Sequence, residues 1–216
     1  MKPASLLILQ LADAGYPAGG FAHSGGLEAA LQAGEVRGAR GLRQFVHDAV
    51  WQAAHGGLPL LTAAHRGGSL AELDARAEAF LVNQVAARAS RTQGRAFLAA
   101  SARIFPRQLA PLREAVRGLR LHHAPLFGAA LAALGVDLAE AQQLYVWLAA
   151  RGVLSAAVRL GACGAHEGQT LLAETAPLVE RAARECADRE TPAQTSPLQD
   201  LLSATHDRLY SRLFIS

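Results

Sequence analysis

The chain predicts an all-α fold: a compact single-domain helical bundle with a glycine-rich N-terminal loop and a C-terminal tail. Three observations carry this. Ala, Leu, Arg, Glu and Gln are abundant while Val, Ile and Thr are sparse, the composition of helix formers. Leu42, Phe45, Val46, Ala49 and Val50 fall at i, i+3, i+4, i+7 and i+8, the apolar stripe of a core-facing helix. Helix-start signals precede the longer periodic runs. With 51% hydrophobic and 18% charged residues, the chain can bury a core and does not read as a disordered segment.

The elements follow in order. Residues 24–33 predict a short helix ended by Gly34. The stripe around Leu42 to Val50 predicts the next, broken by Gly56, Gly57 and Pro59, and residues 60–64 predict another. Ser69 and Glu72 stand three apart, as in a capping box, and open a long helix that Pro106 stops after Phe105. Arg88, Arg91 and Arg95 share one face of it. Asp137 and Glu140 form a second capping box, starting a helix through Leu144, Trp147 and Leu148 towards Gly161. Residues 167–187 predict the last long helix, in which Pro177 requires a kink or break. These elements place a helical domain at residues 1–187 and a polar linker, DRETPAQTSP, at 188–197. Ser196 and Pro197 are a good N-cap and first-turn pair, so residues 198–216 hold a short helix and a C-terminal interaction tail.

Charge and cysteine content narrow the function classes. The formal net charge is +3, with a single lysine, Lys2, against 20 arginines. The arginines are scattered, without the dense basic patch and interleaved aromatics of a nucleic-acid binder. The two cysteines, Cys163 and Cys186, do not make a disulfide framework. Gln10 and Asp13 break the N-terminal apolar run, which argues against a signal peptide, and no stretch approaches the 18 apolar residues of a membrane span. The expected setting is the cytoplasm.

Residues 13–28, DAGYPAGGFAHSGGLE, hold five glycines between two helical regions. Each glycine disfavours helix by roughly 1 kcal/mol relative to Ala, and a plain connector needs only a few residues. The loop is therefore kept for its shape or for its contacts. It resembles the N-terminal signature of the UreF family of urease accessory proteins, matched here by Asp13, Pro17, Gly19, Gly20, Phe21, Ser24, Gly26, Leu27 and Glu28. NQVAARASR at 83–91, LSAAVRLG at 154–161 and GQTLL at 168–172 are similar to that family's helices, and THDRLYSRLFIS is similar to its ending. There are two departures. Ile215 stands where the family commonly has Arg, and TQGR follows Arg91 where relatives often carry an acid.

Chemistry in the residues themselves is sparse. Gly20 and Gly25 have the glycine spacing of a P-loop, but Gly26 occupies the lysine position, so phosphate binding fails. Ala22 replaces the first glycine of a nucleophile elbow around Ser24. Cys163 and His166 are half of a zinc-type pair, and His166-Glu167 lacks the second histidine of H-E-x-x-H. His122 and His123 are adjacent and diverge by about 100° on a helix. No catalytic, cofactor or metal residues are expected. Leu209, Tyr210, Leu213, Phe214 and Ile215 form an apolar terminal segment, which either folds back on the core or docks on a partner.

The resemblance implies a non-enzymatic helical chaperone for nickel insertion into urease. It implies binding to UreD (also called UreH) and to the GTPase UreG, contact with urease apoprotein through that complex, and dimers within it. The expected partner-binding residues are Asp13, Pro17, Gly19, Gly20, Phe21, His23, Ser24 and Glu28 of the loop, with Tyr210, Arg212, Leu213 and Phe214 of the tail. Two alternatives remain: a regulator of GTP hydrolysis by UreG, as activator or gate, and a helical enzyme using Asp13, His23 and Ser24.

Overall fold

The computed structural model describes residues 3–216; Met1 and Lys2 lie outside the described residues. Every regular element among the described residues is helical. In chain order they are α1 (Pro3–Ala12), α2 (Leu27–Gln32), α3 (Gly38–Gln52), α4 (Leu58–His65), α5 (Leu70–Phe80), α6 (Gln84–Ile104), α7 (Pro106–Ala115), α8 (His123–Ala133), α9 (Leu138–Arg159), α10 (Ala165–Glu185) and α11 (Pro197–Ala204). Short 3-10 turns occupy Gly20–Ala22 and His206–Arg208. Among the described residues, no helix is long and apolar enough to cross a membrane.

The core gathers around α9. Its buried Val146, Ala150, Leu154 and Ala157 join Leu42, Phe45 and Val50 of α3 and Leu171 and Val179 of α10 in one cluster. The stripe on α3 faces inward as its spacing predicts. On the other side α8 packs against α4 and α6. Gly128 makes the α8–α4 approach possible: a Cβ there would stand 2.2 Å from the Leu61 carbonyl oxygen.

Two predicted boundaries differ from the structure. Gly56 and Gly57 do not break the chain; α3 runs through a π-helical turn, Ala53–Gly57, directly into α4. Tertiary packing overrides the propensity here, because a Cβ on Gly57 would meet the Tyr145 ring at 2.4 Å. Conversely, the single long helix expected up to Phe105 is interrupted at residues 81–83. Asn83 accepts from Val85 N at 2.9 Å and Ala86 N at 3.3 Å, an N-cap that competes with helix continuation. Ser69 caps α5 by accepting from Glu72 N, whereas Asp137 stands at the α9 N-cap without a side-chain cap bond. Pro106 opens α7, where the missing N–H is not needed. Pro177 lies inside α10 without ending it; Ala173, whose carbonyl loses its partner, is exposed.

The polar segment after α10 lies along α3. Gln52 Oε1 accepts from Thr195 N at 2.7 Å and Ser196 N at 3.2 Å, and Ala193 N donates to His55 O at 3.1 Å. Gln199 Nε2 then donates to Phe45 O, and Asn83 Nδ2 to Asp200 O, which fixes α11 against α3 and the start of α6.

The close α4–α8 contact yields a test. Gly128→Ala should destabilise the chain by about 1–3 kcal/mol through overpacking, read as a lowered melting temperature by circular dichroism. An unchanged melting temperature would show that α8 can move away from α4 freely.

Candidate functional site

The glycine-rich loop is fastened to α6 and α9. Asp13 Oδ1 accepts from Gly15 N at 2.6 Å, turning the chain after α1. Tyr16 OH and Ser101 Oγ of α6 are hydrogen-bonded at 2.7 Å, and Arg151 of α9 donates to Ala12 O. Gly19 adopts φ 76° and passes so near α6 that a Cβ would lie 2.8 Å from the Ala96 side chain. Gly26 adopts φ 88° beneath α11, where a Cβ would lie 3.1 Å from Ser203 Cβ. Both positions combine left-handed backbone with close approach, which suits glycine.

Beyond Gly26 the loop meets the tail. Glu28 is buried in α2, and its carboxylate collects three N–H donors. His206 Nε2 donates to Oε2 at 3.0 Å, Leu213 N to Oε1 at 2.6 Å and Phe214 N to Oε2 at 3.2 Å. Ser24 N and Ser24 Oγ both donate to Ser216 O, at 2.8 Å and 3.0 Å. His23 Nδ1 lies 2.5 Å from Ser216 Oγ, and Ile215 N donates to Ala22 O at 3.0 Å. Burial alternates along the tail: Phe214 and Ser216 are buried, while Leu213 and Ile215 are exposed. The chain bends at Leu213 and Phe214, so both amides reach the same carboxylate.

Arginines brace this junction. Arg88 of α6 grips Asp207 with two bonds, 2.9 Å and 2.6 Å, which hold the Asp207 carboxyl below its usual range. Arg212 adds a longer contact to the same carboxylate at 3.4 Å. Arg159, in the last turn of α9, lies 3.6 Å from the Phe21 ring centroid and 4.3 Å from that of Phe214, and donates to Phe21 O.

Beneath the loop lies a cavity of about 1070 Å³, with Tyr16, Phe97, His123, Phe127, Tyr145 and Arg151 on its wall. Burial pushes the His123 pKa down to about 4, with His23 adding to the shift, and pushes Tyr145 up to about 12. Burial likewise takes His23 to about 4, helped by Arg88 and His206. His123 is stacked on Tyr145, with ring centroids 5.8 Å apart. A second hub holds the approach to α8. Asp74 accepts from Arg120 N and His122 N, and Glu78 binds His122, Arg91 and Arg120. The His122 bond is the main cause that lowers the Glu78 pKa. Leu121 between them has φ 67°, and its carbonyl fits because residue 94 is glycine; a Cβ there would stand 1.9 Å from it. Within TQGR, Gly94 is therefore a packing point. No group of three or more His, Cys, Asp or Glu that could hold a metal occurs among the described residues.

The predicted site residues separate into two kinds. Asp13, Pro17, Gly20, Phe21, Tyr210, Arg212 and Leu213 are exposed, and Gly19 is half-buried. His23, Ser24, Glu28 and Phe214 turn inward in the chain alone, where they join loop to tail. The tail thus folds back on the body. Asp13, His23 and Ser24 are not linked to one another by hydrogen bonds among the described residues: Ser24 Oγ serves Ser216 and Glu28 N, and His23 faces Ser216. Sequence reasoning missed Arg159, Arg88, His206 and Asp207 as junction residues. The terminal H-x-x-x-Y pattern contained His206, and the basic face of α6 contained Arg88, but neither spacing reveals a partner more than a hundred residues away.

Comparison with known proteins follows this geometry. The UreF family model matches residues 36–176. Urease accessory protein F of Oryza sativa subsp. indica is 38% identical over 215 residues, covering 95% of this chain and 82% of the relative. Urease accessory protein F of Arabidopsis thaliana is 36% identical over 217 residues, covering 96% and 90%. Urease accessory protein UreF of Cereibacter sphaeroides is 33% identical over 218 residues and covers 99% of both chains. The family model stops short of loop and tail, so similarity there rests on these longer matches.

The buried histidines set a pH dependence. Both His23 and His123 fall from 6.5 to about 4 on folding. Between those values the unfolded chain binds protons that the folded chain does not, so stability rises with pH across that window and is lost on acidification. The melting temperature should fall as pH drops from 6.5 towards 4. His123→Phe, which keeps the aromatic stack, should make that fall shallower; an unchanged slope would show that His123 titrates normally.

Proposed function

This chain belongs to the UreF family of urease accessory proteins, and from that premise we propose that it acts as a chaperone for nickel insertion, bridging the GTPase UreG to UreD and urease apoprotein. It is a urease accessory protein and not an enzyme. In the proposed complex it pairs with a second copy of itself, in the cytoplasm, and nickel is cargo rather than a resident cofactor.

The observation that supports this reading best is the joined loop and tail. Two segments at opposite ends of the chain form one surface that leaves Phe21, Tyr210, Leu213 and Ile215 exposed. Apolar groups grouped in this way suit a protein partner. Glycine loop and tail hold the partner-binding residues that the resemblance implies, and we assign UreD to them. Ile215, at the position where arginine is common, turns outward; at that point the proposed contact is apolar. In this reading His23, Ser24, Glu28 and Phe214 shape the surface from within, while Phe21, Tyr210, Arg212 and Leu213 touch the partner.

Side-chain changes on the outer face test this without disturbing the junction. Tyr210→Ala and Ile215→Asp should each weaken co-purification with UreD, by about 2 kcal/mol if they fall at a hot spot. Melting temperature should stay as in the unaltered chain, since both side chains are exposed. Normal UreD capture by the double variant would move the interface elsewhere.

A further inference from the structure

We infer that Arg159 is a positioning residue, coupling the loop tip to the tail so that the partner meets one surface instead of two independent segments. The inference rests on the reading that this surface binds UreD.

Phe21 is 67% exposed and belongs to neither core cluster. The guanidinium of Arg159 supports its ring from 3.6 Å and bonds its carbonyl oxygen. The same guanidinium lies over Phe214, which is 4% exposed and packs in the main core. A planar, always-charged group can satisfy two rings and a carbonyl together; an ammonium point charge cannot. Arg159 is itself well anchored. It ends α9 beside the fully buried Ala156 and Ala157, and a cation suits a helix C-terminus. The next residue, Ala22, accepts from Ile215 N, so the loop backbone and the tail backbone are joined beside the stacked rings. With Phe214 seated under Arg159, its neighbours Leu213 and Ile215 are exposed, and Ile215 is tied to the residue after Phe21. Glu28 seats the tail, and Arg159 couples it to the loop tip, so the two halves of the apolar ridge proposed as the contact are held together.

Hydrogen–deuterium exchange on the isolated chain, with UreD binding measured by calorimetry in parallel, tests the coupling. Arg159→Ala should speed amide exchange about tenfold in both residues 20–24 and residues 213–216, leaving the centres of α9 and α10 protected. UreD affinity should fall by about tenfold. Arg159→Lys should restore little of either. Phe21→Ala, a change at an exposed ring that cannot unfold the chain, should speed exchange in the tail although it lies at the other end of the sequence. Exchange that rises in one segment alone, or a tail unmoved by Phe21→Ala, would overturn the coupling. Coupled exchange in a chain that never binds UreD would support the role of Arg159 while refuting the partner reading.

Discussion

The Glu28 carboxylate is the constraint on which the arrangement of loop and tail depends. A carboxylate carried into a helical core must be met by donors, because an unpaired buried charge is strongly unfavourable. Here the tail supplies all three: the His206 ring and the Leu213 and Phe214 amides. Leaving a buried acceptor without its donors costs about 1–3 kcal/mol, and more for a charged group. The tail is therefore held by a charge in the second helix, and the second helix is accommodated because the tail is present.

From that anchor the rest follows in layers. Ser24 and His23 extend the junction to Ser216, and Arg88 fixes the turn before the tail through Asp207. Arg159 reaches across from α9 and joins the two aromatic rings. The buried faces do the fastening and leave the alternate side chains, with Phe21, to solvent. A structural interior and an apolar exterior thus arise from one short terminal segment.

Much of the fold was legible. The stripe on α3 and the extent of α9 follow from period, and the Ser69 cap on α5 from capping, all of which are local. Gly56 and Gly57 read as breakers, but Gly57 admits Tyr145 and Gly56 lies against the Phe80 ring, contacts from distant parts of the chain that spacing does not reveal. Asn83 sits inside a periodic run and so reads as helix, whereas in the fold its Oδ1 caps α6 while its amide bonds Asp200 of α11. At the site, the loop and tail were each recognisable, but their meeting was not. A glutamate ending a glycine-rich signature reads as a partner contact, and nothing in spacing pairs residue 28 with residues 206–214. The inward turn of Phe214 likewise depends on tertiary contacts.

The central claim is that Glu28 and the tail act as a unit, and a double-mutant cycle in urea unfolding tests it most directly. Glu28→Ala, removal of residues 213–216, and both changes together would be compared with the unaltered chain. The account predicts strong non-additivity, with a coupling energy of about 1–3 kcal/mol, because once the tail is gone Glu28 has lost most of what it holds. Single effects that sum to the double effect within about 0.5 kcal/mol would contradict it and leave the tail as an independent appendage.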